Sequence, residues 1–473
     1  MTSLPLDFYV LRRAEARPPT VLREGDLPPE RWLQQIWRHQ RIRRGDLRSL
    51  DGHPVRVLPP GFWNHEPGPD FKGAVIQIGT GPAKTGDVEI DLAVSGWRGH
   101  RHAGNPAYAG VILHVVWEAV PRELVPPVLA IRPFLDAPVA ELGAWLEDEA
   151  ASLLPPEVLG RCCAPLRDVP ADALAGLLGQ AAHVRLRRKA GEFAARARHV
   201  GWDGALWEGL FAALGYKHNV WPMRRLAELV AGTGHADEAV TIEARLLGLS
   251  GLLPAQLPRD GDTGHIRTLW DIWWRERDRW GDLVLPASLW RLAGIRPANH
   301  SQRRLALASR WLASGDLVPR LEAWLTAGPD LTTAPARLTA SLAPVVEPDG
   351  FWSRHWTLRS AAFAVPQPLL GAARTTDIAV NVVLPWFFAR AGAGRDPALP
   401  ATIVRWYDAW PASEDNAVLR LARQRLFGGV ARRMSRTAAA QQGLLQVSRD
   451  FCGPAGALCE GCRFPDIVRA MPR

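Results

Sequence analysis

The chain has 473 residues, which is enough for two or three domains and a sizeable core. With 47% hydrophobic and 22% charged residues, it has the composition of a soluble globular protein. No apolar stretch approaches the roughly 18 residues that a membrane helix needs, and the N-terminus lacks the basic and apolar regions of a signal peptide. We therefore expect a cytoplasmic protein with no membrane partner.

The first part of the chain alternates helical and strand-like patterns. Residues 28–44 predict an amphipathic helix, because apolar side chains recur at helical spacing from Trp32 to Trp37. A short strand (55–58), a hairpin (74–78 with 87–92) and two further strands (111–120 and 128–131) follow. Together these elements predict a small α/β unit over residues 1–150.

The predicted hairpin carries many acidic residues. Asp70 follows a Gly-Pro turn ahead of the first strand, and Asp87, Glu89 and Asp91 alternate with aliphatic residues on the second. Alternating residues of a strand share one face, so neighbouring carboxylates on it lie roughly 7 Å apart. They repel one another unless water or a cation reduces the repulsion. We interpret Asp70, Glu89 and Asp91 as ligands of Mg²⁺ or Mn²⁺; the alternative is a solvated face with no site.

Three histidines follow the hairpin. His100 and His102, in "WRGHRH", can lie on one side of an extended segment and reach a metal ion or a scissile phosphate. His114, in the strand "VILHVV", is typical of a hydrogen-bonded core residue. We therefore include His100 and His102, but not His114, among the candidate catalytic residues.

Beyond residue 150 the sequence is rich in Ala, Leu, Arg and Trp at helical spacing, which predicts an all-α region over residues 151–473. The fold class is therefore α+β. The net charge is +9, and only four of the 57 basic residues are lysine, so arginine supplies most of the positive charge. The planar fork of donors in arginine suits phosphate. A GC-rich genome would also favour arginine. One predicted helix concentrates this charge and is a candidate nucleic-acid-binding face through Arg185, Arg187, Arg188 and Lys189.

The five cysteines are too few for a disulfide scaffold in a chain of this length. Cys452, Cys459 and Cys462 have the C-x6-C-x2-C spacing of metal ligands. A [4Fe–4S] cluster or a structural Zn²⁺ needs a fourth ligand, for which Cys162 and Cys163 are both candidates. Such a centre would join the beginning of the helical region to its end.

The order of the acids resembles the PD-(D/E)xK nuclease superfamily. Asp70 would be the acid of the Pro-Asp motif and Glu89 the acid of the second motif. The superfamily usually has Lys two residues after this Glu, where the present chain has Asp91, so Lys72 is the candidate to supply the missing charge. The resemblance implies a restriction-endonuclease-like core within residues 1–150.

Longer motifs resemble a bacterial family of unknown function, DUF2851. The resemblance supports the pairing of Cys162 or Cys163 with the terminal cysteines, because the family pattern has an Ile-Pro-Cys-like site in that region. It implies no established activity. The motifs that carry it include "GPDF" (68–71), "GDVEI" (86–90), "HRHAGNPAYAGVILHVV" (100–116), "RPANHSQR" (296–303), "VNVVLP" (380–385) and "SEDN" (413–416).

We therefore expect a metal-dependent nuclease-like protein that acts on nucleic-acid phosphodiesters. One alternative is a nucleic-acid-binding protein on a degenerate nuclease fold, without catalysis. Another is an interaction protein whose cysteine-bound cluster is the functional feature. For the first function the catalytic candidates are Asp70, Lys72, Glu89, Asp91, His100 and His102.

Overall fold

A mixed β-sheet forms near the N-terminus of the protein. The computed structural model describes residues 5, 7–16, 25–64, 66–100, 102–119, 126–145, 162–216, 218–230, 237–256, 264–343, 350–428, 436–452 and 462–471. The strands of the sheet are β1 (Val55–Val57), β2 (Phe62–Trp63), β3 (Phe71–Ile78), β4 (Lys84–Asp91), β5 (Val111–Val116) and β6 (Val128–Ala130).

The strand order is β1-β3-β4-β5-β6, and β2 pairs with the beginning of β3. The pairs β1–β3 and β3–β4 are antiparallel, so the predicted hairpin is present. The pairs β4–β5 and β5–β6 are parallel. A bulge with Gly73 in the left-handed region (φ 68°) shifts the register between Phe71 and Ala74.

The two faces of the sheet differ because side chains alternate along each strand. Val88 and Ile90 of β4 belong to a buried apolar cluster with Leu113 and Val115 of β5. Helix α2 (Glu30–His39) covers this face with the apolar stripe predicted from its sequence. Glu89 and Asp91 of β4 alternate with these core residues and therefore lie on the opposite face.

The remainder of the described chain is mostly helical, which confirms the α+β class and the predicted helical region. A large apolar core includes the fully buried Trp311, Trp352, Trp386 and Trp410. The helices other than α2 are α1 (Phe8–Ala16), α3 (Gly96–Gly99), α4 (Val139–Trp145), α5 (Ala171–Leu214), α6 (Val220–Val230), α7 (Ala239–Leu249), α8 (Gly264–Trp280), α9 (Ser301–Ser314), α10 (Leu317–Thr326), α11 (Ala334–Leu342), α12 (Phe351–Arg354), α13 (Ala372–Ile378), α14 (Leu384–Ala393), α15 (Leu399–Ala409), α16 (Ala417–Phe427), α17 (Ala438–Val447) and α18 (Phe464–Arg469).

Helix α5 contacts both the sheet unit and the helical core. It contains one non-helical residue, Gly201 (φ 73°, ψ 168°), a backbone conformation open essentially to glycine only. Ala195 of α5 packs into the apolar cluster of the sheet, and His199 Nε2 lies 2.7 Å from the carbonyl oxygen of Asp136. The division of the chain at residue 150 stays a prediction. None of the described helices is both long and apolar enough to cross a membrane.

Helices α17 and α5 pack closely because Gly443 has no side chain. A Cβ atom at Gly443 would overlap the carbonyl oxygen of Leu178 in α5, whereas a Cβ at the adjacent Gly179 would meet no atom within 4 Å. We expect Gly443→Ala to lower the free energy of unfolding by about 1–3 kcal/mol through overpacking. Gly179→Ala is the matched control and should raise it by about 0.5–1 kcal/mol, because alanine favours helix. Urea unfolding followed by circular dichroism measures both, and equal stability of the two variants would contradict the close packing.

Candidate metal centre

Strands β4 and β5 bring two carboxylates and a histidine to the sheet face opposite α2. The parallel register places Glu89 beside His114 and Asp91 beside Val116. Asp91 is only 2% exposed, and its Oδ2 lies 2.9 Å from Nε2 of His114, which is also buried. His114 is thus a hydrogen-bonded core residue, as its strand pattern indicated, and its partner is one of the predicted metal ligands.

The segment after β4 folds back over this face and brings two more histidines. It consists of α3 and two 3₁₀ turns, His102–Gly104 and Pro106–Tyr108. Nδ1 of His100 lies 3.1 Å from Asp91 Oδ1. The backbone of this segment lies so close to Asp91 that position 96 must be glycine, because a Cβ atom there would overlap the Asp91 carboxylate. One donor atom from each of Asp91, His100 and His102 lies within 4.8 Å of the others.

His102 is the most informative of these residues. It is 6% exposed, and neither ring nitrogen has a hydrogen-bond partner among the described residues. Nε2 lies 3.2 Å from Glu89 Oε1, but without hydrogen-bond geometry. Burial lowers the pKa of His102, which favours the neutral ring with an available lone pair. An unsatisfied buried polar group costs about 1–3 kcal/mol, so a ligand that accepts this lone pair would stabilise the site.

Aromatic rings hold His102 in place. Its ring stacks on Tyr108 at a centroid distance of 3.8 Å, and Trp97 meets it edge-on at 5.4 Å. Trp97 also lies 5.4 Å from the ring of His114. These contacts fix the orientation of the imidazole without using its nitrogen atoms, which leaves both available for a ligand.

Asp70 and Glu89 lie beside this group and brace each other. The backbone N–H of Asp70 donates to Glu89 Oε2 (3.2 Å), and the N–H of Ile90 donates to Asp70 Oδ2 (3.0 Å). Gln34 Nε2 from α2 donates to the other carboxylate oxygen of Asp70 (2.9 Å). Burial raises the pKa of Asp70 to about 7 and that of Glu89 to about 8, and the negative charge of the neighbouring acids contributes to both shifts.

The structure thus brings five of the predicted site residues into one region: Asp70, Glu89, Asp91, His100 and His102. The side chains that could hold a metal ion, however, are one carboxylate and two imidazoles rather than three carboxylates. Lys72 has an exposed side chain and lies opposite Phe62 of β2. No contact between Lys72 and the acids is present in the described part of the structure.

Four residues around the site were not among those predicted from the sequence. Gln34 orients Asp70, and Glu30 at the beginning of α2 adds negative charge, which helps to raise the pKa of Glu89. Trp97 and Tyr108 pack on the histidines. Only Trp97 and Tyr108 could have been suspected from the sequence, because both lie within or next to the histidine-rich segment.

The remaining predicted site residues lie elsewhere. Arg185, Arg188 and Lys189 of α5 line a cavity, whereas Arg187 points to solvent. Cys163 is exposed, and Cys162, Cys452 and Cys462 are half-buried. Cys459 lies outside the described residues.

A mixed imidazole and carboxylate donor set suits Zn²⁺, Mn²⁺ or Fe²⁺ better than Mg²⁺, which prefers oxygen ligands. The set has three protein donors, which leaves coordination positions open for water or substrate, as in catalytic metal sites. Asp91 is oriented by His114 in the way that outer hydrogen bonds orient metal ligands. The residues present therefore fit a divalent transition metal.

We predict that Mn²⁺ or Zn²⁺ raises the thermal stability of the protein and that a chelator reverses the effect, because an ion that binds only the folded state stabilises it. His100→Ala should weaken this binding at least about tenfold without a folding defect, because its side chain is 58% exposed. His53→Ala, which also removes an exposed histidine but lies outside the donor group, is the matched control. Calorimetric titration with each metal measures both variants; equal affinities for the two would contradict the site.

Comparison with known proteins gives a family but no activity. No curated protein and no solved structure matches the chain significantly. The family model described as "Protein of unknown function (DUF2851)" matches residues 30–416. This range contains all residues of the candidate centre and ends before Cys452, so the terminal cysteines lie beyond the matched part. The match confirms the family resemblance seen in the sequence motifs: the chain belongs to the DUF2851 family.

Proposed function

We propose that the protein is a metal-dependent hydrolase of the nuclease type, which cleaves phosphodiester bonds in nucleic acid. The observation that carries this proposal is the convergence of Asp91 and His100 with His102, a buried histidine whose ring nitrogens lack hydrogen-bond partners among the described residues. A buried imidazole of this kind is favourable only when an ion or a ligand binds it. Hydrolytic metal sites typically have three protein ligands and leave a coordination position of the metal open for water or substrate.

A divalent cation bound here would act as a Lewis acid and make an attacking water more acidic. The chain itself supplies the surrounding groups. Glu89 is the nearest carboxylate outside the donor triad, with Oε1 3.2 Å from His102, and is positioned to accept a proton. Asp70 holds Glu89 in place through its backbone N–H. His114 fixes Asp91 from the protein interior.

The nuclease assignment rests on the order and placement of the acids. Asp70 immediately precedes β3, and Glu89 lies on the antiparallel neighbour β4, as expected for a PD-(D/E)xK-like hairpin. The chain departs from that pattern at position 91, where an acid replaces the usual lysine and takes part in the donor triad. We propose that this exchange shifts the metal preference from Mg²⁺ towards Mn²⁺ or Zn²⁺.

The same exchange supports a second candidate function, binding of nucleic acid without cleavage. In the PD-(D/E)xK pattern the lysine is the group that assists the water, and the exposed Lys72 has no described contact with the acids. If the site has lost catalysis, the arginine-rich surface would still bind phosphates, and binding would weaken as the salt concentration rises.

We predict that the protein with Mn²⁺ hydrolyses single- or double-stranded DNA or RNA, and that Glu89→Gln lowers the rate at least about 100-fold by removing the proton acceptor. Glu89→Gln should still bind the metal, whereas His100→Ala should lose both metal affinity and hydrolysis. Cleavage of end-labelled oligonucleotides measures the rate, with His53→Ala as the control.

Intact substrates after incubation with Mg²⁺, Mn²⁺ and Zn²⁺ would contradict the hydrolase proposal. Salt-dependent retention of the same oligonucleotides, measured by fluorescence anisotropy and unchanged in Glu89→Gln, would then support the binding function. The two candidate functions are therefore distinguished in a single set of experiments.

We further propose that the cysteines bind a [4Fe–4S] cluster or a structural Zn²⁺. Cys452 and Cys462 pack against an apolar cluster that also contains Leu166 and Val169, which follow Cys162 closely in the chain. The backbone N–H of Leu166 donates to the carbonyl of Leu426 (2.9 Å), so this segment lies against the C-terminal helices. The half-buried Cys162 is the better fourth ligand, because Cys163 is exposed.

We predict that Cys162→Ser lowers the bound iron or zinc and the thermal stability of the protein, whereas Cys163→Ser, at the adjacent position, leaves both unchanged. Elemental analysis identifies the metal, and visible absorption distinguishes a coloured iron–sulfur cluster from colourless zinc. Wild-type protein purified without oxygen that contains neither metal would contradict the cysteine centre.

A further inference from the structure

A large basic cavity lies between the sheet unit and the helical region, apart from the candidate metal centre. Its volume is about 790 Å³. Its walls come mainly from the end of α2 and the segment that follows it, from α5 and α6, and from the end of α17 with the turn after it. This volume is within the range of pockets that bind small molecules and cofactors. Neither the metal donors nor Glu89 line it.

The cavity has a strong excess of positive charge. Within the described part of the chain, nine arginine and lysine side chains line it, against three acidic ones. Each acid is already paired: Asp136 with Arg41, Glu192 with Arg188, and Glu208 with Arg196. The lining side chains therefore carry a formal excess of six positive charges. Glu228 offsets part of this excess through ion pairs with Arg44 and Arg196, and an anion in the cavity would offset more of it.

Two cations indicate that this excess is directed at a ligand. Arg44 is 9% exposed, and although its Nη2 pairs with Glu228, its Nε and Nη1 have no hydrogen-bond partner within the described part of the chain. Burial lowers the pKa of Arg44 to about 10. Lys189 Nζ donates to Asn381 Oδ1 (2.6 Å), and burial together with Arg185 and Arg188 lowers its pKa well below the usual value. An anion in the cavity would satisfy these donors.

We propose that this cavity binds a small molecule that carries at least two phosphate groups. Arginine forks bind phosphate oxygens in pairs, and a diphosphate or triphosphate can neutralise several of the cations at once. Phe193, Tyr216 and Val220 add an apolar surface against which an organic part of the ligand can pack. The proposal does not depend on the nuclease function, because the two sites share no residue.

The experiment is a calorimetric titration of the full-length protein with tripolyphosphate in the presence of a chelator, at constant ionic strength. We expect one bound tripolyphosphate per chain and an affinity for monophosphate at least about tenfold lower. Lys189→Gln and Arg224→Gln, which each remove one charge from the cavity, should weaken tripolyphosphate binding at least about tenfold. Arg187→Gln removes one charge from the solvent-facing side of the same helix and should leave the affinity within about twofold.

Three results would overturn the proposal. The first is the absence of tripolyphosphate binding by wild-type protein. The second is an equal loss of affinity in Arg187→Gln and Lys189→Gln, which would indicate non-specific attraction by the helix surface. The third is binding of a short single-stranded oligonucleotide that tripolyphosphate does not displace and that Arg187→Gln weakens, since this would assign the charge to a nucleic-acid surface. Thermal unfolding of each variant verifies folding, and Arg224→Gln provides the test if Lys189→Gln is unstable.

Discussion

The parallel pairing of β4 with β5 is the constraint on which the candidate metal centre depends. This register pairs Glu89 with His114 and Asp91 with Val116, which leaves the Asp91 carboxylate within hydrogen-bond distance of the His114 ring in the interior. A buried carboxylate is stable only if hydrogen-bond donors surround it. Asp91 in turn attracts His100 from the segment that crosses the sheet face. Once that segment is held, its first 3₁₀ turn carries His102 next to Glu89. A single strand register thus determines the positions of five side chains that are up to 25 residues apart in the chain.

Some of this arrangement could be predicted from the sequence because it follows from local patterns. Alternation along β4 predicts that Glu89 and Asp91 share a face, and the clustered histidines predict nearby donors. The identity of the donor triad could not be predicted, because it depends on how two short 3₁₀ turns fold over the sheet. The contribution of Gln34 could not be predicted either, since it comes from the packing of α2 against a distant strand.

The arginines illustrate a different limit of sequence analysis. The basic stretch of α5 resembles an exposed nucleic-acid-binding face, yet Arg187 alone of the four proposed residues is exposed. Arg185 donates to Gln442 of α17, and Lys189 to Asn381. Helical periodicity distinguishes the sides of a helix but does not indicate which side faces solvent and which faces a cavity. Which side of α5 faces the cavity depends on where α6, α17 and the segment after α2 pack.

The single non-helical residue in α5 has a consequence for how the basic cavity is assembled. Arg196 and Glu208 are twelve residues apart, and in a straight helix they would be separated by about 18 Å. They instead form a bidentate ion pair of 2.7–3.1 Å, so the chain reverses direction at Gly201 and α5 is a helical hairpin. Contacts so close in sequence form with little loss of chain entropy. One wall of the cavity is therefore held together by contacts that are local in the sequence, whereas other walls come from distant parts of the chain.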